Sequence, residues 1–179
     1  MAASTPTATV PERVGAITDE LRAFSRKTRS GTVAVGVEAA VDGALLLVGA
    51  RMRERGVALV RNSGPPGLAV MAERNRLEQV LLNLLQNAIE ALRDTGEPTV
   101  TLDIHTRGRR VTIRISDNGP GVAPELRDRL FTPFTTDKRD GLGLGLVISR
   151  DIVAGFGGEL SLEPSRQGAA FVIRLTRAS

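Results

Sequence analysis

Three sets of residues in this chain of 179 are of types and spacings that could do chemistry. The first is a row of amides and an acid among leucines: Asn83, Gln86, Asn87 and Glu90. Carboxamide oxygens are hard donors that suit Mg²⁺, a cation that takes one or two protein groups and fills its shell with water and substrate phosphate. Asn87 could serve in that way. The second is Asp117-Asn118-Gly119-Pro120-Gly121. A carboxylate at the end of an apolar strand can accept from a ligand amine while glycines let the backbone pass close by. Asp-Asn-Gly is also an ideal Asx turn, and for the tripeptide alone the turn is the leading reading. The third is Gly141-Leu142-Gly143-Leu144-Gly145-Leu146. No Gly-Lys-Ser/Thr follows it, so it is not a Walker A loop, and polar residues rather than a strand precede it, so it is not a dinucleotide fingerprint. It leads straight into a helical pattern, where free amides and the helix dipole favour phosphate. Taken alone, a glycine loop chosen for its turns is an equal alternative.

Each set needs an element to hold it. Residues 76–92 predict a helix on which Arg76, Gln79, Asn83, Gln86, Asn87 and Glu90 form one narrow polar stripe, with Leu77, Val80, Leu81, Leu82, Leu84, Leu85, Ala88, Ile89 and Leu92 on the rest of the circumference. So apolar a helix should be buried. An unpaired buried amide costs about 1–3 kcal/mol, so Asn83 and Asn87 must face other side chains, water or a ligand. Val100, Leu102 and Ile104 alternate with polar residues, as do Val111, Ile113 and Ile115, which predicts a hairpin with one buried face. The glycine run opens a helix reaching about residue 156, and strands over 159–162 and 170–175 close the chain around a Pro-Ser-Arg-Gln-Gly turn.

Upstream, Val33, Val35 and Val37 alternate as a strand, and Val41, Ala44, Leu45, Val48 and Met52 recur at helical spacing until Gly56. Short strands over 57–60 and 68–71 flank a Gly-Pro turn and are expected in one sheet. A short helix over 124–130 precedes Phe131-Thr132-Pro133-Phe134. The mixture predicts an α/β two-layer sandwich, with helices on one face of a mixed, mainly antiparallel sheet. Residues 1–10 read as a disordered start. Residues 11–30 read as an extended helix preceding the sandwich, with Val14, Ile17, Leu21 and Phe24 forming the narrow seam of a coiled coil or bundle.

Composition narrows the class. With 41% hydrophobic residues the chain can build a core, and without cysteine it has neither disulfides nor thiolate chemistry, which fits a reducing cytoplasm. The formal charge of +4 does not point to nucleic acid, because the basic residues are interleaved with 20 acidic ones and the only aromatics are five Phe. Only Arg107, Arg109 and Arg110 cluster, as a solvated hairpin tip would. The longest apolar run, residues 44–50, is far too short to span a bilayer.

Taken in order, the motifs from about residue 33 to 175 resemble the catalytic, ATP-binding domain of sensor histidine kinases. That domain belongs to the ATPase superfamily (GHKL, Bergerat fold) that also holds gyrase, MutL and the anti-sigma-factor kinases. Asn83-Leu-Leu-Gln-Asn87-Ala-Ile-Glu90 resembles the N box and Asp117 to Gly121 the first glycine box. Phe131 to Phe134 resembles the F box, Gly141 to Leu146 the second glycine box, and Gly157-Gly158-Glu159-Leu160 the start of the strand after it. The resemblance implies ATP and Mg²⁺ as ligands. It implies that Asn87 holds the metal, Asp117 accepts the adenine amino group, and Gly119 and Gly121 admit the base. Gly141, Gly143 and Gly145, with Leu142, Leu144 and Leu146, would wrap the phosphates under a lid over residues 122–140 that carries Phe134 and Lys138. Asn83 and Glu90 would be catalytic, orienting water or the metal shell. The hydrolytic branch places a glutamate base where this chain has Asn83; a carboxamide cannot activate water as a carboxylate does, which favours a kinase. Thr135 departs from the second Phe of many relatives.

Residues 11–30 resemble the second helix of the dimerisation and phosphoacceptor hairpin, particularly in dicarboxylate-sensing kinases. The helix that should carry the acceptor histidine is missing, and the only histidine, His105, alternates outward on a strand. The resemblance therefore implies γ-phosphate transfer to a histidine outside this chain and a response regulator as partner. It further implies a homodimeric full-length protein, with this part cytoplasmic and the whole anchored in the inner membrane. Two rivals are a degenerate kinase-like binding module, disfavoured by four intact motifs, and a serine kinase acting on a sigma factor, disfavoured by the N-terminal seam.

Overall fold

The computed structural model describes residues 31–135 and 143–179. The expectations for residues 1–30, Lys138, Gly141 and Leu142 fall outside the described residues.

The chain begins with strand β1 (Val33–Gly36) and helix α1 (Val37–Glu54), followed by β2 (Ala58–Asn62) and β3 (Ala69–Ala72). Helix α2 (Arg74–Ala91) and the hairpin β4 (Thr99–Arg107) and β5 (Arg110–Asp117) form the centre. A single helical turn, α3 (Pro124–Arg127), leads to α4 (Gly145–Gly155), β6 (Glu159–Glu163) and β7 (Ala170–Thr176). Five strands form one sheet in the order β2-β4-β5-β7-β6, with β2 parallel to β4 and all other pairs antiparallel. The α/β sandwich read from the patterns is the fold observed.

Binary patterning accounts for the layers. On α1, Val37, Ala40, Val41, Ala44, Val48 and Met52 are buried at three- and four-residue spacing, and the chain leaves the helix through Gly56 at φ 64°. On α2 the buried set is Leu77, Val80, Leu81, Leu84, Leu85, Ala88 and Ile89. Every second residue of β4 and β5 points into the same layer: Val100, Leu102, Ile104, Val111, Ile113 and Ile115 are all buried. Helix α2 lies between α1 and α4 and rests on β5, the middle strand, so α2 is the central helix of its layer.

Two expectations are corrected. The strands flanking the Gly-Pro turn are not in one sheet: β2 edges the five-stranded sheet, whereas β3 pairs with β1 as a separate antiparallel ribbon. The ribbon is tied to the far end of the chain, where Ala178 N donates to Ala69 O at 2.9 Å, a pairing that local sequence does not encode. The helix expected over 124–130 is one turn, because none of its residues is buried and no packing offsets the cost of nucleation.

Candidate nucleotide site

Asp117 is the last residue of β5, and its side chain lies on the helix side of the sheet with only 7% exposed. Its Oδ1 accepts from the backbone amides of Gly119 at 2.9 Å and Ala169 at 3.3 Å. The first of these bonds is the Asx turn that Asp-Asn-Gly favours, so the turn is formed. Both bonds fall on Oδ1, which leaves Oδ2 to an outside donor. Burial pushes the carboxyl pKa up, and the Gly119 and Ala169 amides partly oppose it.

The surroundings hold this strand end rigidly. Asn118 is structural: its Oδ1 accepts from Thr99 N and its Nδ2 donates to Glu97 O, both at 2.8 Å, fixing the start of β4. A Cβ on Gly119 would stand 3.1 Å from the carbonyl oxygen of Ala91, so the first glycine box is pressed against the end of α2. Sequence reasoning missed the third wall, the β6–β7 turn. There Gly168 has φ +67°, and a Cβ on it would lie 1.9 Å from the Asp117 carbonyl oxygen. The only sequence signal was the Gln-Gly pair in a turn; nothing local says that it covers Asp117.

The stripe of α2 divides. Gln79 and Gln86 are exposed, whereas Asn83, Asn87 and Glu90 are half-buried. Glu90 lies 3.7 Å from the Arg93 guanidinium. Asn83 turns toward α4: its Nδ2 donates to Ser149 Oγ at 3.0 Å, and Ser149 is itself 2% exposed. Sequence reasoning missed Ser149, although a serine among Val147, Ile148, Ile152 and Val153 is a detectable break in an apolar face.

Helix α4 starts at Gly145 behind Leu144, which makes no side-chain cap, so among the described residues no N-cap side chain claims its first amides or the positive end of its dipole. Leu144 is buried and Leu146 packs against the core, so any ligand contact from these two residues is through backbone. Gly143, at φ +66°, is packed on the F-box end: a Cβ there would be 2.7 Å from both N and O of Thr135. The two chain ends flanking residues 136–142 therefore meet. Phe134 adopts φ 62°, uncommon for an aromatic residue, with its ring largely exposed. Phe131 lies under the Arg150 guanidinium, 5.5 Å from ring centroid to Cζ. A polar cavity of about 400 Å³ opens on the other face of the sheet, lined by Thr101, Arg114 and Ser116 and reaching Asp117, Asn118 and Gln167 at the end of β5.

The structure thus sets both described glycine segments against α2, Gly119 at Ala91 and Gly145 at Asn83, with the Asp117 acceptor beside the first and a helix start at the second. Such a site belongs to the class that grips a nucleotide by both base and phosphates. The family model for histidine kinase-, DNA gyrase B- and HSP90-like ATPases matches residues 72–179, and the chain belongs to that family. Within it, the chain is similar to the C4-dicarboxylate transport sensor protein DctB of Rhizobium meliloti (strain 1021), 43% identical over 171 residues, which are 96% of this chain and 28% of that protein. Sensor histidine kinase ZraS of Salmonella typhi is 32% identical over 166 residues, 92% of this chain and 35% of that protein. The chain therefore spans about a third or less of these curated relatives. The solved catalytic domain of histidine kinase ThkA, nucleotide free, has a TM-score of 0.75 at 29% identity over 83% of this chain and 97% of that one. A structure of ThkA in complex with response regulator protein TrrA has a TM-score of 0.77 at 27% identity over 94% of this chain and 48% of that one. The chain is an ATP-binding catalytic domain of the sensor-histidine-kinase type.

Proposed function

We propose that this domain binds Mg·ATP across the site just described and donates its γ-phosphate to a histidine on a dimerisation and phosphoacceptor hairpin outside the described residues. The observation that carries this reading is the pairing of an open acceptor atom, Asp117 Oδ2, with the uncapped start of α4. Asp117 accepts the adenine amino group while Gly119 holds the strand end against α2. The first amides of α4 and the glycine run that opens it receive the phosphates. Asn87 supplies one oxygen to Mg²⁺, and Glu90 orients the water around it. A Mg²⁺ ion held by Asn87 would supply charge neutralisation on the phosphates; in the transfer itself the bond from γ-phosphorus to the ADP oxygen breaks and one to the histidine nitrogen forms. Phe134, at the described end of the F-box segment, belongs to the lid over this end. The donor set fits the ion: Mg²⁺ held mainly by triphosphate needs one or two oxygens from protein, which a carboxamide provides.

The full-length protein is a homodimer anchored in the inner membrane, with this domain cytoplasmic and a response regulator receiving the phosphate. DctB and ZraS, named as sensors, support a sensory role, and the ThkA structure with response regulator protein TrrA supports the regulator as partner. Among the described residues, no helix is long and apolar enough to cross a membrane. Thermal melting tests the reading. Mg·ATP at about 100 times its Kd should add roughly 2.7 kcal/mol of stability, and Asn87→Ala should lose most of the shift. An absent shift in the wild-type chain, or an equal one in the variant, rules the assignment out and leaves a kinase-like binding module.

A further inference from the structure

Gly145 and Ser149 are four residues apart on α4 and so share one face of it. On that face the Asn83 carboxamide of α2 touches both positions. Asn83 donates from Nδ2 to the buried Ser149 hydroxyl, and its Oδ1 lies where a Cβ on Gly145 would come within 2.5 Å. The three nearest atoms to that Cβ position all belong to Asn83. Gly145 is helical and free of the positive φ seen at Gly143, so its backbone conformation does not demand glycine. The space is taken by the carboxamide.

We propose that Gly145 and Ser149 form a seat for the Asn83 carboxamide, making Asn83 and Ser149 positioning residues that fix where the first amides of α4 stand relative to Asn87. The proposal rests on the nucleotide reading above and replaces the role that the resemblance implied for Asn83, which acts through α4 and does not handle water or metal. It also explains why a polar hydroxyl is buried in an otherwise apolar helix face. The hydroxyl gives the carboxamide one fixed orientation, and a packed contact at Gly145 then sets the spacing of the two helices.

The seat is at the phosphate end, which separates it from general stability. Ser149→Ala should raise the Kd for Mg·ATP by roughly threefold to tenfold, the span of one neutral hydrogen bond, measured by calorimetry. It should leave the affinity for adenosine, followed by ligand-observed NMR, unchanged, because adenosine is held at Asp117. A double-mutant cycle supplies the second measurement. Gly145→Ala should weaken Mg·ATP binding in the wild-type background, yet cost nothing further in Asn83→Ala, where the colliding atoms are gone. Equal weakening of ATP and adenosine by Ser149→Ala, no weakening of either, or a Gly145→Ala cost that persists without Asn83 would overturn the seat. Wild-type chain that binds adenosine and ATP with equal affinity would instead remove the phosphate site, and the seat with it.

Discussion

Asp117 joins two demands that pull against each other. Its burial raises its pKa above the ordinary 3.8, whereas accepting from an adenine amine needs the carboxylate. An acid whose folded pKa lies above its unfolded value binds its proton more tightly when native. Its contribution to stability is therefore most favourable below about 3.8 and is lost as pH rises through the raised folded value. Asp117→Asn removes that titration. The nucleotide-free variant should melt higher than wild type at neutral pH, and the difference should vanish as pH is lowered toward 4. The same change should weaken ATP by about tenfold to a hundredfold, as for a hydrogen bond to a charged group. The reason is geometric: the Gly119 and Ala169 amides require an acceptor at the Oδ1 position. An asparagine must then aim its NH₂ at the ligand's own donor. Melting curves of both proteins between pH 4 and 7, with and without Mg·ATP, check both effects; an unchanged nucleotide response in the variant refutes the assigned role.

At the scale of elements, the site is a junction of backbones rather than a set of reaching side chains. The β6–β7 turn closes over Asp117 because Gly168 adopts a left-handed conformation with its Cα against the Asp117 carbonyl. Gly168→Ala brings the left-handed penalty of about 1–2 kcal/mol and adds a collision with backbone that cannot rotate away. A loss above roughly 2 kcal/mol by denaturant titration is expected, together with loss of adenosine affinity as the Ala169 amide leaves Asp117. A stable variant with intact adenosine binding would show that the turn is not a wall of the site. Helix α2 plays the corresponding part on the other side, since the leucines that bury it leave Asn83, Asn87 and Glu90 half-buried, with Asn83 against α4.

Across the whole molecule, the sheet divides the chemistry. His105 is exposed on β4 opposite Thr112, on the face away from α2, so the sheet itself stands between it and the phosphate end. The chain alone should therefore yield no acid-labile phosphate with labelled ATP. Fusing an upstream histidine-bearing helix should restore it, with His105→Gln equally active in that fusion. Labelling that depends on His105 would mean that the acceptor had been misplaced.

Much of this protein was determined by the sequence alone. Helical and alternating periodicities are local, so the layers, the hairpin and the helix opened by glycines could be read directly, and four ordered motifs resembled one kinase family. His105 and the arginine tip, both placed in solvent from their parity and turn, are exposed. Long-range pairing was not legible. The place of β3 depends on its pairing with β1 and on Ala69 meeting Ala178, the cover on Asp117 on an amide 52 residues away, and the orientation of Asn83 on a serine 66 residues away. Nothing in the spacing around Asn83 distinguishes a carboxamide aimed at a ligand from one seated on a neighbouring helix. Only the packing of α2 against α4 decides that, because a hydrogen bond is specified by where two atoms meet in space.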